Sequence, residues 1–273
     1  MSYVWIDIDN PPQVQYLLPF KRAFENTGHT VVVTARDYGI TLELLEQRGV
    51  EHQAVGREAG TGRLRKATAA VRRAQALTKT FGRGSRPDLV ITASRAAALA
   101  GRRLGKPVFT FIDYEFVNLT VPRRTGSYLV FPDLIGDEFF QSNGFKRDRL
   151  IGYPGLKEAL SFAEIDLGSV TPHDFGASTT GKPLLLFRPP AERAHYFDAE
   201  SAELSSGLID RLAKRDDVQV VVTPRYAHQA LAIERLEWKS RPIVLDEPVP
   251  FAPLLLGVDA VMSSGGKIGR AHV

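Results

Sequence analysis

Four stretches of the chain gather side chains able to bind or move charge. The first, Asp9-Asn10-Pro11-Pro12-Gln13, closes a strand expected over Tyr3 to Asp9. Ligands of open parallel sheets sit outside the carboxyl ends of the strands, so Asp9, Asn10 and Gln13 are positioned to hold a polar substrate. Asp9 is a candidate acid/base group. The proline pair stiffens the loop, and Pro12 near the first helical turn forfeits no needed donor. The plainer reading makes Asp9 or Asn10 only the N-cap of the following helix.

The second stretch runs from Arg188 through Pro189, Pro190, Ala191, Glu192, Arg193 and Ala194 to His195 and Tyr196, directly after an apolar strand at Leu184 to Phe187. A guanidinium, a carboxylate and an imidazole on one loop suit an anionic ligand such as a diphosphate, because arginine offers a planar fork that matches phosphate oxygens. Arg188, Glu192 and Tyr196 are binding candidates, and His195 is a catalytic one. Alternatively the loop is plain surface, with Glu192 paired to Arg193 or Arg188 and His195 idle.

The third set repeats this logic at other strand ends: Thr223-Pro224-Arg225, Asp246-Glu247, Ser263-Ser264-Gly265-Gly266, and Asp113 with Glu115. Thr223, Arg225, Glu247, Ser263, Ser264, Gly265 and Gly266 join the binding candidates, since small-residue turns let backbone N–H groups approach phosphate. A bare turn is the alternative for Ser-Ser-Gly-Gly. Asp113 is a second acid/base candidate and Glu115 a hydroxyl contact, unless both are merely solvated. The fourth feature is a helix over Leu64 to Phe81, where Arg65, Arg72 and Lys79 recur every seven residues beside Lys66 and Arg73. Opposite lies a stripe of Leu64, Ala67, Val71, Ala74, Leu77 and Phe81. This face reads either as ordinary solvated surface or as a peripheral contact with an anionic membrane. No aromatic residues interleave with the charges, which argues against nucleic acid.

The elements that must position these groups follow one rhythm. Strands at Tyr3 to Asp9, Thr30 to Ala35, Glu51 to Val55, Leu89 to Thr92 and Val108 to Ile112 alternate with helix-period stretches, so crossovers and a parallel sheet are expected. Residues 1–155 read as one Rossmann-like lobe, 156–182 as a linker rich in Gly and Pro, and 183–266 as a second, shorter lobe. At 273 residues two lobes are the simplest account, with one large barrel as the competitor. Residues 267–273 lack any apolar period, and Ile268 to Val273 match the translation of a common sequencing-adapter oligonucleotide. They are expected to be foreign to the protein, leaving the second lobe truncated.

Composition narrows the chemistry. Apolar residues at 44% and charged residues at 24% permit a packed core and exclude disorder and coiled coil. Without cysteine there is no disulfide, thiolate metal site or cysteine nucleophile. The start has no basic region or cleavage site, and no apolar run reaches the ~18 residues of a membrane helix, so a cytoplasmic protein is expected. The net charge of +4 hides an uneven distribution, because residues 57–106 carry +11 and the rest −7. Dinucleotide, P-loop, H-E-x-x-H and G-x-S-x-G motifs are all missing.

Three segments carry a family likeness: Trp5-Ile6-Asp7-Ile8-Asp9-Asn10-Pro11-Pro12, Thr34-Ala35-Arg36-Asp37-Tyr38, and Arg188-Pro189-Pro190-Ala191-Glu192 with Ala194-His195-Tyr196. They resemble the family called domain of unknown function 354, over essentially residues 3 to 266. That family looks like the GT-B superfamily of UDP-N-acetylglucosamine 2-epimerase and many nucleotide-sugar glycosyltransferases. The resemblance implies an α/β chain of two Rossmann-like lobes, with a UDP-type sugar donor on the second lobe and a sugar or lipid-linked acceptor on the first. It implies no bound metal or other cofactor, and a role in surface-polysaccharide or glycolipid assembly. Arg188, Glu192 and His195 would then surround the diphosphate or sugar, Ser264 to Gly266 would begin the loop beneath it, and Asp9 to Gln13 would line the acceptor side. A non-catalytic sensor of an anionic sugar ligand is the alternative.

Overall fold

The structure, a computed structural model, describes residues 1–57, 63–82, 85–162, 181–192, 199–245, 249 and 251–263. The chain divides into two compact units, Met1–Ala163 and Glu164–Val273. In the first, seven strands alternate with helices: β1 (Tyr3–Ile8), α1 (Pro11–Asn26), β2 (Thr30–Asp37), α2 (Thr41–Gln47), β3 (Gln53–Arg57), α3 (Arg63–Gly82), β4 (Leu89–Thr92), α4 (Arg95–Arg103), β5 (Val108–Phe111), α5 (Thr120–Thr125), β6 (Tyr128–Pro132), α6 (Asp137–Ser142), β7 (Leu150–Tyr153) and α7 (Glu158–Phe162). Their order across the sheet is β3-β2-β1-β4-β5-β6-β7, with every pairing parallel. The second unit holds β8 (Leu184–Arg188), α8 (Ala199–Ala213), β9 (Gln219–Val222), α9 (Ala227–Glu234), β10 (Ile243–Val244), α10 (Phe251–Leu256) and β11 (Ala260–Ser263). Its parallel order is β10-β9-β8-β11.

The period-two alternation of β1 builds the first core. Val4, Ile6 and Ile8 pack on one face with Val14, Leu17 and Leu18 of α1, whose i, i+3, i+4 spacing makes a single apolar stripe. Each such side chain contributes about 1.5–3 kcal/mol when fully buried. Trp5 points to the other face, among Ala74, Leu77 and Phe81 of α3, its ring 4.6 Å from that of Phe81. Asp7 shares the face of Trp5, so a carboxylate enters an apolar layer and must find a partner there.

That partner is Arg73, and it corrects the reading of α3. Arg73 is 5% exposed and leaves the cationic surface for the core, while Val71, read as part of the apolar stripe, is 43% exposed. Two further differences concern elements. Strand β3 lies two residues later than expected, and β7 is a strand that no alternation announces, because Gly152 interrupts its four residues. A Cβ there would meet the exposed carboxylate of Asp133, which would have to turn aside. Helix α7 occupies residues 158–162 of the stretch read as a linker, and its Leu160 packs against the β1–α1 core.

Candidate functional site

Chain order locates the site in each unit. Ligands of doubly wound sheets gather where the strand order reverses, at the carboxyl ends. In the first unit the reversal falls between β1 and β4, and in the second between β8 and β11.

At the first reversal Asp9 follows β1. Asn10 caps α1, its Oδ1 accepting from Gln13 N at 3.3 Å, and Gln13 Oε1 accepts in return from Asp9 N at 2.7 Å. Asn10 and Gln13 thus shape the loop that carries Asp9, and the capping alternative describes what Asn10 does. Arg36, at the end of β2, donates from Nε to Asp9 O at 3.1 Å and stands 3.4 Å from its Oδ1. Arg73 Nη1 lies 3.3 Å from the same oxygen. Arg73 also grips Asp7 with both terminal nitrogens, at 2.7 and 2.9 Å, and donates to Val55 O and Ser94 Oγ. Thr34 donates to Asp7 at 2.6 Å and receives Trp5 Nε1 at 2.8 Å, which completes the buried network. Gly56 leaves the space through which the Arg73 stem passes.

Electrostatics distinguish the two carboxylates. Asp7 is wholly buried and bidentately bound, whereas Asp9 keeps 23% of its side chain exposed. Burial pushes the Asp9 carboxyl above its ordinary value, Arg73 and Arg36 pull it down, and Asp7 pushes it up again, leaving it raised. For Arg73 burial acts to lower the pKa, but Asp7, by charge and hydrogen bond, and Asp9 together more than reverse this, and the guanidinium holds its proton more firmly than usual.

Asp113 follows β5 on the same sheet edge and meets the ammonium of Lys157, which is 5% exposed and lies 5.8 Å above the ring of Tyr16. Burial, with Tyr153, Asp9 and Glu158 nearby, pushes the Tyr16 phenol far up; burial and Glu158 push Tyr153 up to about 12. Both phenols stay protonated at neutral pH. The edge therefore offers two partly exposed carboxylates near neutral phenols, a set suited to binding hydroxyl groups and accepting a proton from one of them. Glu115 lines a different pocket, with Asn118, Arg123, Phe139 and Asn143.

In the second unit Arg188 ends β8 and is in register with Ser263 on β11, while Thr223 follows Val222, the β9 partner of Phe187. Three strand ends thus carry Thr223, Arg188 and Ser263 side by side. Thr223 Oγ1 and Ser263 Oγ are shielded from solvent and have no hydrogen-bond partner among the described residues. Native folds rarely leave such groups unsatisfied. The loops after β8 and β9 are stitched together: Arg225 Nε donates to Pro189 O at 3.1 Å, and Gln229 Nε2 reaches Pro190 O at 3.0 Å and Glu192 Oε1 at 2.9 Å. His228 Nε2 lies 2.6 Å from Glu192 Oε2. Glu192 therefore pairs with α9.

His195, Tyr196, Glu247, Ser264, Gly265 and Gly266 lie outside the described residues, as do residues 163–180 and 267–273. Among the described residues no three His, Asp or Glu side chains form a group that could hold a metal ion, and no helix is long and apolar enough to cross a membrane. Reasoning from strand ends missed Asp7, Arg73, Arg36, Lys157, Tyr16 and His228. Asp7 had a signal, a lone carboxylate inside an apolar strand, whereas Arg73 was hidden in a helix crowded with cations.

The chain belongs to the family described as "Protein of unknown function (DUF354)", whose model matches residues 2–273. It is 23% identical to an uncharacterized protein of Methanocaldococcus jannaschii, over 98% of this chain and 77% of that one. Its fold is GT-B-like, of the kind seen in solved UDP-GlcNAc 2-epimerases. The enzyme of Methanocaldococcus jannaschii, in complex with UDP-GlcNAc and UDP, superposes with a TM-score of 0.66 at 14% identity, covering 97% of this chain and 80% of that chain. The enzyme of Neisseria meningitidis, bound to UDP-GlcNAc, gives 0.65 at 16% identity, covering 97% and 78%.

Proposed function

We propose that the protein acts on a nucleotide-diphosphate sugar, of UDP type, as an epimerase-like or glycosyl-transferring enzyme. The observation that carries this is the row Thr223, Arg188 and Ser263 at the reversal of the second sheet: an arginine flanked in register by two shielded hydroxyls that have no partner among the described residues suits the oxygens of a diphosphate. The fold likeness to proteins solved with UDP-GlcNAc and UDP supports the choice of nucleotide.

In this reading Arg188 and the hydroxyls neutralise charge that grows on the diphosphate as the glycosyl C–O bond breaks and its electron pair moves to the β-phosphate oxygen. Asp9 accepts the proton from the attacking hydroxyl or water, and Asp113, held by Lys157, orients hydroxyls of a sugar or lipid-linked sugar acceptor. Calorimetry with UDP, together with release of UDP from UDP-GlcNAc, tests the assignment. Arg188→Ala is expected to weaken UDP binding at least tenfold, by about 1.4 kcal/mol or more. Unchanged affinity removes the donor site. Binding without turnover, indifferent to Asp9→Asn and Asp113→Asn, instead identifies a sugar-nucleotide sensor.

A further inference from the structure

Outside the carboxylate edge and the Thr223–Arg188–Ser263 row, one constellation joins chemistry to rigidity. The carboxylate of Glu192 has both oxygens occupied by α9: Oε1 by the buried amide of Gln229 at 2.9 Å, and Oε2 by His228 at 2.6 Å. Gln229 is itself fixed, since its Oε1 accepts from Arg225 N at 2.9 Å and its Nε2 also donates to Pro190 O. The ring of Tyr226 lies parallel to that of His228, 6° between planes and 5.5 Å between centroids. A carboxylate that cannot swing thus orients an imidazole held from a second side by an aromatic ring. His228 nevertheless remains 62% exposed at its side chain, and Nδ1 has no protein partner among the described residues.

This is the arrangement in which one ring nitrogen is tied to a carboxylate so that the other can act on a ligand. Its position also matters. Glu192 lies on the loop that leaves Arg188, and His228 in the first turn of the helix that follows Thr223, so both belong to the carboxyl edge of the second sheet.

We propose that His228 is a catalytic residue that hands a proton from Nδ1 to the departing diphosphate, with Glu192 as its positioning residue; the assignment rests on the nucleotide-sugar reading above. As the glycosyl C–O bond breaks, its electron pair passes to the β-phosphate oxygen, and the imidazolium Nδ1–H transfers its proton there. The imidazole is left neutral, its Nε2 still held by Glu192, and is reprotonated from solvent. The proton lost by the attacking hydroxyl goes to the carboxylate of the first unit.

The test uses the full chain with 15N-labelled histidine, His228→Gln assigning the signal among the six histidines. UDP is titrated while calorimetry follows binding. The expected results are a shift of the His228 Nδ1 resonance on UDP binding, and a loss of the Nε2–H tautomer in Glu192→Gln. Turnover of UDP-GlcNAc should fall about 10²-fold in kcat for His228→Gln at nearly unchanged KM. The double variant should be no slower than His228→Gln, because the two act as a unit. UDP binding with an unmoved His228 resonance, or a Glu192→Gln tautomer like the parent's, overturns the histidine assignment alone. Absence of UDP binding overturns the nucleotide-sugar reading and this proposal with it.

Discussion

Asp9 stands between two guanidinium groups and a second carboxylate, and that mixture decides how it titrates. Burial outweighs the cations, so its carboxyl keeps a proton to higher pH than an ordinary aspartate. If Asp9 must be ionised to act, the acid limb of kcat/KM should lie above the usual carboxylate range, and Arg36→Met should move it further up by removing a charge that favours ionisation. Asp9→Asn should lower kcat about 10²–10⁴-fold with little change in UDP affinity. Asp7 plays the opposite part. Wholly buried, it holds Arg73 in place beside Asp9. Arg73→Met leaves it uncompensated and should cost about 3–5 kcal/mol in urea denaturation, most of it recovered in the double variant with Asp7→Asn. From sequence Asp9 was legible, because a polar residue at the end of an apolar strand marks a sheet edge. Its partners were not, since Arg36 and Arg73 come from elements 27 and 66 residues removed from the carboxylates they bind.

Among the elements, α4 shows how closely helix and sheet must meet for strand ends to align. A Cβ at Gly101 would come within 2.5 Å of Val108 Cγ2 and 3.0 Å of Val90 Cγ2, so α4 lies against β4 and β5 with no room for a methyl group. Gly101→Ala should therefore cost about 1–3 kcal/mol by overpacking, seen as a lower thermal midpoint. It should also slow turnover, because Ser94 and Asp113 follow the two strands that would shift. The long helices α1 and α3 were readable from their 3.6-residue period. Strand β7 was not, as four residues containing Gly152 hold too little alternation for the pattern to emerge. The same limit hid Arg73: a cation in a helix facing solvent and one facing a buried carboxylate have the same local sequence.

For the whole molecule, each of the two units carries its own sheet edge, with carboxylates on one and the arginine–hydroxyl row on the other. Ligand linkage should follow that division. UDP at about 100 times its Kd should stabilise the chain by about 2.7 kcal/mol, and Asp9→Asn should keep the full gain while Arg188→Ala loses about half of it or more, measured by thermal shift. The amino-acid sequence by itself determined the parallel α/β units, their strand ends and the charged residues that follow them, because strand and helix periods and loop chemistry are local properties. Only the tertiary structure decided which of those residues meet. It drew Arg73 into the core, joined Asp113 to Lys157 and set Glu192 against His228, because buried charges and polar groups must be satisfied by neighbours that packing brings from distant parts of the chain.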